Sequence, residues 1–387
     1  MKPDFDVAIL GGGLAGASLA LALRASGRRI AVVDARPANA SVAASDPRAY
    51  AISPTAMEFL ETIGVWRHLD RQCVGPVVAM DIRGDRGGRL RFSAFEARRE
   101  ALAWMVEAET LEAEIRETAR RQAGIDWLAP ATPTAMTQNT DAATLTLSTG
   151  VRLSARLLVG ADGRDSWLRE TAGIAATTTG YGEQGIAACY ACEQAHGDTA
   201  RQWFHGDSVL AWLPLPEQRI SIVWSAPDSL ATHLTALDPE ALALRVGAAG
   251  DHVLGRLTPL GPARGFPLRL IRVPDPIASR IALIGDAAHG IHPLSGHGIN
   301  LGFSDARELA AAITDCPPGG DVGGERVLRR YRRRRAEEVR LLQEATHGLR
   351  QLFASRAPGL SLLRNLGLSV TDRLPRVKSL LTRYAMG

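Results

Sequence analysis

The chain has 387 residues, of which 46% are hydrophobic and 22% charged, and its 38 glycines and 21 prolines follow no repeating period. This composition excludes a disordered, collagen-like or repeat protein, and the length is sufficient for two domains with substantial cores. The net charge of +4 is unevenly distributed, because residues 326–387 contain fifteen Lys and Arg against four Asp and Glu, which leaves the rest of the chain acidic.

The first element is the apolar run DVAILGGGLAGASLALAL at residues 6–23. A membrane anchor or export signal is disfavoured here, since Asp4 and Asp6 lie where a signal requires positive charge and glycines interrupt the run. No other stretch approaches eighteen uninterrupted apolar residues. We therefore expect a protein without a transmembrane helix, located in the cytoplasm or peripherally at the inner face of the membrane.

The same run fits a strand, a tight turn and a helix. Gly11, Gly13 and Gly16 form a GxGxxG pattern, in which the first glycine permits the turn, the second lets a pyrophosphate approach and the third lets helix and strand pack. A second predicted strand ends at Asp34, where a carboxylate can accept both hydroxyls of an adenosine ribose and repels the 2′-phosphate of NADP. This pattern alone fits NAD and FAD nearly equally.

Two later segments, residues 157–170 and 280–313, each predict a strand that runs into a turn containing glycine and aspartate. In the second segment a helix is predicted to begin near Gly298. A nicotinamide nucleotide does not need three such turns, whereas the longer FAD requires a separate element to hold its ribityl chain and ring. The residues of the two turns are Asp162, Gly163, Gly285 and Asp286.

Between these segments, residues 185–225 contain strand-like runs, and residues 80–95 predict a hairpin that turns at GDRGG. Together they predict an antiparallel sheet that forms the floor of a substrate pocket. Its tryptophans at 203, 212 and 224 would either line the pocket or, as large rings more often do, lie in the core. The CxxC pair Cys189 and Cys192 lies in a predicted strand and is interpreted as structural, and no metal site is predicted.

The basic tail is the last element. Residues 326–343 predict a helix with a basic face, and leucines and valines recur at helical spacing from residue 360 onward. Two interpretations stay open: contact with an anionic membrane surface, or a helix packed on the rest of the protein with a solvated basic face. Nucleic-acid binding is disfavoured, because no binding motif is present.

The predicted fold class is α/β, with a Rossmann-like FAD-binding domain, a second domain built on an antiparallel sheet, and C-terminal helices. The FAD-binding domain is expected to be discontinuous, at residues 1–75, 100–180 and 275–340. Residues 76–99 and 181–274 would form the substrate domain, and residues 341–387 the C-terminal helical segment.

The three turns together resemble the para-hydroxybenzoate-hydroxylase class of flavin monooxygenases. SDPRAYAIS at 45–53, HPLSGHGINLG at 292–302 and the ending LRNLGLSVTDRLPRVKSLLTRYAMG resemble, more narrowly, the ubiquinone-biosynthesis hydroxylases. The resemblance covers essentially the whole chain.

This resemblance implies that FAD is the cofactor and assigns its contacts residue by residue. Asp34 would bind the adenosine ribose with Arg36 near the adenine, Arg48 would reach the phosphates or the ribityl chain, and Asp286 would bind the ribityl hydroxyls. The loop at 293–300 would line the isoalloxazine, with the helix start near Gly298 facing the negative charge of the reduced ring. The implied cofactor-binding residues are Gly11, Gly13, Leu14, Ala15, Gly16, Asp34, Arg36, Arg48, Asp162, Gly163, Gly285, Asp286, Pro293, Gly298, Ile299 and Asn300.

The implied activity is hydroxylation of an aromatic ring with O2 and NAD(P)H, on a polyprenyl-phenol precursor of ubiquinone, within a quinone-biosynthesis complex or alone. No catalytic residue is assigned, because the flavin carries the chemistry. His289 and His292 flank the flavin loop and are more typical of structural donors, and His297 stands where the family usually has glutamine. Two alternatives remain: a flavin reductase or dehydrogenase that makes no productive use of O2, and an assembly subunit that keeps the fold for its surfaces.

Overall fold

A computed structural model describes residues 3–37, 46–293 and 296–354, together with Asn365 and Asp372. Within these residues the strands are β1 (Phe5–Leu10), β2 (Ile30–Val33), β3 (Ala49–Ile52), β4 (Val74–Val77), β5 (Ala79–Arg83), β6 (Arg89–Ser93), β7 (Ala103–Glu107), β8 (Ile125–Leu128), β9 (Pro133–Gln138), β10 (Ala143–Leu147), β11 (Arg152–Gly160), β12 (Thr177–Cys192), β13 (Thr199–His205), β14 (Ser208–Leu215), β15 (Arg219–Pro227), β16 (Leu257–Pro259), β17 (Arg264–Arg272), β18 (Ile277–Ala278), β19 (Ile281–Leu283) and β20 (His289–Gly290). The α-helices are α1 (Leu14–Leu23), α2 (Pro54–Thr62), α3 (Ala108–Arg120), α4 (Trp167–Thr171), α5 (Asp228–Thr235), α6 (Pro239–Ala249), α7 (Gly298–Thr314) and α8 (Glu325–Ala354). Short 3-10 helices lie at Trp66–His68, Arg71–Cys73 and Gly285–Ala287.

The first sheet has a parallel centre in the order β19-β11-β1-β2-β8, with β18 antiparallel at one edge. β9 and β10 extend it as an antiparallel pair from β11. Its central strands are apolar on both faces because both faces are covered. Val7 and Ile9 of β1 pack with α1, α3 and α7, whereas Ala8 and Leu10 pack with β10 and α4.

The second sheet has the order β20-β17-β12-β15-β14-β13-β5-β6, with β16 beside β12. It is antiparallel as predicted, except that β5 runs parallel to β13. β5 and β6 form the predicted hairpin, with Arg83 opposite Arg89. Because β12 begins at Thr177 and β20 lies at His289–Gly290, the sheet takes residues from both sides of the expected domain boundaries, which stay a prediction.

The two faces of the second sheet carry side chains of different size. On one face Trp203, Trp212 and Trp224 pack against α5 and α6 in a buried cluster, so these rings lie in the core and do not line a pocket. The opposite face carries a row of small residues, since Ala211 lies opposite Val223 and Val223 opposite Ala187. Small side chains leave free space above this face.

A third sheet, in the order β3-β7-β4, is antiparallel. Along the chain, its strands alternate with strands of the other two sheets. The C-terminal helix α8 is rich in Arg, Glu and Leu, which are strong helix formers, and it runs without interruption through the expected boundary at residue 340. The Tyr331 hydroxyl donates to the carbonyl oxygen of Leu283 at 2.7 Å. The amide of Gln343 donates to the carbonyl oxygens of Ile271 at 2.7 Å and Gly290 at 3.3 Å, so α8 contacts both large sheets.

Several arginines of the basic tail form ion pairs on the protein itself. Arg332 pairs with Asp275 at 2.7 Å and Arg334 with Glu308 at 2.8 Å. Most of the leucine pattern from residue 360 onward lies outside the described residues; Asn365 accepts the Gly88 N–H at 3.0 Å on the β5–β6 hairpin. Among the helices described, none is both long and apolar enough to cross a bilayer.

Candidate active site

The three turns predicted from the sequence meet at one edge of the first sheet. β1, β11 and β19 are adjacent and parallel, so the turns that follow them lie side by side at the carboxyl ends of the strands. A Cβ on Gly285 would lie 3.2 Å from the Cβ of Ala15, and a Cβ on Gly11 would overlap the carbonyl oxygen of Ala161. The turns are therefore in direct contact.

The first turn has a distinct local reason for each glycine. Gly11 has φ of +101°, a conformation that L side chains rarely adopt, and a Cβ on Gly16 would overlap the carbonyl oxygen of Gly11. A Cβ on Gly13 would have no heavy atom within 4 Å, so the backbone there is open to a ligand. α1 follows with no side-chain cap and no acidic residue in its first turn, which leaves its first N–H groups available to an anion.

Asp34 lies beside this turn and has a partner that the sequence analysis missed. Its buried carboxylate accepts a charge-assisted hydrogen bond from the guanidinium of Arg116, which is itself buried and stacks over Trp127 at 5.5 Å. Asp34 also accepts the Arg36 N–H at 3.0 Å. A Cβ on Gly12 would come within 2.5 Å of both Asp34 and Trp127, so this glycine lets the carboxylate lie against the turn.

The second and third turns are joined by an ion pair. Asp286 accepts from Nε of Arg164 at 3.0 Å, and both side chains line the cavity described below. Asp162 instead points back into its own turn, where it accepts the Ser166 hydroxyl at 2.6 Å and the Leu168 N–H at 3.0 Å. Asp162 thus shapes the turn, and Asp286 faces the site.

A buried cluster stands behind the third turn. Asp305, fully buried, accepts from the Gly285 N–H at 2.8 Å, from His289 at 2.6 Å and from Nε of Arg335 at 2.6 Å. Although burial lowers it, the charge and hydrogen bond of Asp305 raise the pKa of His289 above the usual value for histidine. Burial favours the neutral form of Asp305, but His289 and Arg335 outweigh this and lower its pKa. The cluster fixes the turn backbone and places His289 at the cavity wall.

The loop before α7 is held by a second buried cluster. His292 contacts Glu183 at 3.1 Å, and Glu183 accepts from Nε of Arg350 on α8 at 3.0 Å. Asn300 donates to the carbonyl oxygen of Ala51 at 2.8 Å and accepts the Ser53 N–H at 3.0 Å, so its side chain anchors the first turn of α7 to β3. His289 and His292 therefore each have a buried carboxylate partner.

The elements enclose a cavity of about 400 Å³. Ten predicted residues line it, namely Gly13, Leu14, Ala15, Arg48, Gly163, Gly285, Asp286, Pro293, Gly298 and Ile299. Gly11, Gly16, Asp34, Arg36, Asp162 and Asn300 do not line it. Arg36 is half-exposed and forms an ion pair with Glu112. Arg48 forms an ion pair with Asp46 at 2.6 Å.

The opposite wall of the cavity is apolar except for Gln202 and comes from the other two sheets. Its strands β13, β14 and β15 contribute the small-residue face described above, and β4, β5 and β7 contribute methionine, valine and alanine. Within the described residues no group of three His, Cys, Asp or Glu side chains could hold a metal ion. The lining residues of this wall are Val77, Met80, Ala103, Met105, Ala200, Gln202, Ala211, Leu213, Val223, Phe266 and Leu268.

A family model described as FAD binding domain matches residues 4–346. Ubiquinone hydroxylase UbiL of Rhodospirillum rubrum is 37% identical over 388 residues, covering 99% of this chain and 89% of that protein. The 3-demethoxyubiquinol 3-hydroxylase of Escherichia coli is 30% identical, covering 99% of this chain and 98% of that protein. The chain belongs to the FAD-dependent ubiquinone-biosynthesis hydroxylases.

Solved structures show that this hydroxylase shares the fold of flavin monooxygenases. PqsL of P. aeruginosa in complex with 2-aminobenzoylacetate aligns with a TM-score of 0.79 and 24% identity, covering 94% of this chain and 99% of that chain. The p-nitrophenol 4-monooxygenase PnpA of Pseudomonas putida aligns with a TM-score of 0.79 and 18% identity, covering 100% and 99%. The predicted family, fold class, enzyme class and FAD cofactor are confirmed, and NAD(P)H is the electron donor typical of these monooxygenases.

The residues present in this hydroxylase fit FAD. The open backbone at Gly13 and the uncapped start of α1 suit a pyrophosphate. α7 begins in the same way, with neither a side-chain cap nor an acid in its first turn, and its first residues Gly298 and Ile299 line the cavity. Asp34 does not line the cavity but lies against the first turn on its other side. This is the side on which the adenosine ribose was expected. The individual cofactor contacts stay a prediction.

Sequence reasoning missed several residues of the hydroxylase site. Arg116 lies between Ile115 and Ala119 on the buried side of α3. A charged residue among the apolar residues of a helix indicates a buried ion pair, and this was the signal available in the sequence. Arg335 had no such signal, because it stands in a run of arginines and only the fold buries it. Tyr50 lines the cavity from β3, and burial raises the pKa of its hydroxyl.

Proposed function

We propose that this hydroxylase inserts one oxygen atom from O2 into the aromatic ring of a polyprenyl-phenol precursor of ubiquinone. The observation that supports this most directly is the cavity with two different walls. One wall is built from the three turns and the start of α7, which suit a flavin, and the other from small apolar side chains, which suit a prenylated ring.

The polar wall supplies positioning and charge. When bound, FAD accepts electrons from NAD(P)H and activates O2 for transfer to the ring. The N–H groups at the start of α7 stabilise negative charge in this part of the cavity. The ion pair of Arg164 with Asp286 holds two of the turns in fixed relation.

The apolar wall orients the ring and limits water. Ala211 and Val223 lie opposite each other on neighbouring strands, and Leu213 and Met105 add aliphatic surface beside them. These aliphatic side chains bind a prenyl chain by burial and exclude water that would otherwise compete for the activated oxygen.

The test uses the purified protein loaded with FAD, given NAD(P)H, labelled O2 and 2-prenylphenol. We expect one labelled oxygen atom in the ring of the product. Consumption of NAD(P)H without label in any product would refute the proposal and indicate a flavin reductase instead.

A pair of variants tests whether the reaction occurs in this cavity. Ala211→Trp fills the space above the second sheet, and we expect it to bind FAD normally but to lose product formation. The control Ala248→Trp places the same ring on the exposed side of α6 and should retain activity. Equal activity in both variants would place the substrate elsewhere.

The proposal extends to the membrane, since a polyprenyl-phenol partitions into the bilayer. The basic C-terminal residues would contact anionic lipid, alone or within a quinone-biosynthesis complex. Co-sedimentation with phosphatidylglycerol vesicles that is lost at high salt is the expected result, and binding equal to that of phosphatidylcholine vesicles would refute the membrane contact.

A further inference from the structure

One polar side chain interrupts the apolar wall of the cavity. Gln202 stands on β13 between Ala200 and Phe204, and its backbone lies opposite Ala211 of β14. Along β13, β14 and β15 the other lining residues are Ala200, Ala211, Leu213 and Val223, all apolar. Gln202 therefore presents an amide at one end of a row of small aliphatic side chains.

This amide is not used to hold the fold together. Within the described part of the chain no hydrogen bond from the Gln202 side chain to another residue is present, whereas the cavity residues Arg164 and His289 both have partners on neighbouring elements. A primary amide offers two donors and one acceptor. Once a ligand displaces water from the cavity, leaving these groups without partners would cost binding free energy.

We propose that Gln202 binds the oxygen substituent of the substrate ring and thereby sets which ring carbon faces the turn wall. This inference rests on the proposed function, because it requires a phenolic or quinol oxygen on the substrate. The amide N–H groups donate to that oxygen, and the amide carbonyl accepts its proton when the ring is not ionised. The apolar row beside Gln202 receives the remainder of the ring and the prenyl chain.

The test compares two ligands that differ only in the ring oxygen, 2-prenylphenol and prenylbenzene. Gln202→Met keeps the length of the side chain and removes its donors and acceptor. We expect the dissociation constant of 2-prenylphenol to rise about tenfold and that of prenylbenzene to stay within about twofold, as the loss of one buried hydrogen bond predicts. Binding is measured by the change in flavin absorbance of the FAD-loaded protein and by equilibrium dialysis of the FAD-free protein.

The matched control is Gln138→Met on β9, an exposed strand position outside the cavity lining, which should leave the binding of both ligands unaffected. Gln202→Leu, a branched apolar replacement, provides a second variant if Gln202→Met does not fold. In turnover, the KM for 2-prenylphenol should rise with a shift in the ratio of ring positions hydroxylated, which a purely structural role would not change.

Three outcomes are informative. A selective loss for 2-prenylphenol supports the inference. Equal losses for both ligands, or none for either, would overturn it while the wild-type protein still hydroxylates 2-prenylphenol. Failure of the wild-type protein to bind 2-prenylphenol at all would refute the proposed function, and the inference with it.

Discussion

Removing the negative charge of Asp305 should destabilise the protein strongly. Asp305 is fully buried and holds Gly285, His289 and Arg335 at once. Asp305→Asn keeps the size of the side chain but removes the buried carboxylate that faces Nε of Arg335, whose Nη1 keeps its pairing with the half-exposed Glu338. Breaking a buried charge pair in this way costs about 3–5 kcal/mol of unfolding free energy.

The magnitude can be converted into a melting temperature. For a chain of 387 residues unfolding as one unit, an unfolding entropy of about 2.1 cal/mol/K per residue gives a decrease of about 4–6 °C. The control Asp315→Asn removes an ion pair with Arg330 that is half-exposed, and it should cost at most about 1 kcal/mol.

The pH dependence gives a second readout of the same cluster. The pKa of His289 is raised in the folded protein. Its contribution to the free energy of unfolding is therefore complete below the ordinary histidine value of 6.5 and is lost as the pH rises through the raised pKa. The pKa of Asp305 is lowered, so its contribution is complete above 3.8 and is lost as the pH falls through the lowered pKa. The free energy of unfolding of the wild type, measured in urea, should therefore fall as the pH rises from 6.5 through the raised pKa of His289, and Asp305→Asn should flatten this dependence. Equal stability losses in Asp305→Asn and Asp315→Asn, with unchanged pH profiles, would contradict this account.

Three further predictions concern other parts of the molecule. Gly11→Ala, at φ of +101° and against a neighbouring carbonyl oxygen, should abolish FAD retention on gel filtration, and undiminished flavin absorbance would contradict the geometry of the turn. Arg116→Met should cost about 3–5 kcal/mol in urea unfolding by removing the buried cation of Asp34, whereas Arg36→Met, which removes the more distant and half-exposed cation at 3.6 Å from Asp34, should cost at most about 1 kcal/mol. Burial raises the pKa of Cys189 to about 11, so its alkylation by iodoacetamide should still accelerate between pH 9 and about 11, and a plateau at pH 9 would argue against this.

The sequence predicted what depends on local backbone requirements. Gly16 is needed because the carbonyl oxygen of Gly11, five residues earlier, occupies the space of a side chain, and Gly11 is needed for its φ of +101° in the tight turn. The meeting of three turns also followed, because parallel strands bring their carboxyl ends to one edge.

What escaped prediction depends on pairings across long separations. Arg116 meets Asp34 across 82 residues, and Arg335 meets Asp305 across 30, and no local pattern specifies either partner. Asn300 is a further example, since its amide holds the flavin loop to β3 through Ala51 and Ser53, about 250 residues away, while its predicted cofactor contact stays a prediction. Buried polar groups must find partners, but only the fold determines which ones.

The path of α8 limits how the two large sheets can move. Its middle is bound to β17 and β20 through Gln343, its first half to Asp305 of α7 through Arg335, and its last turns to β12 through Arg350. A helix that is hydrogen-bonded to its neighbours at three places along its length resists hinge bending between the two large sheets. Admission of a prenylated ring should then proceed by local rearrangement of side chains and loops at the rim, with the two halves of the molecule keeping their mutual orientation during turnover.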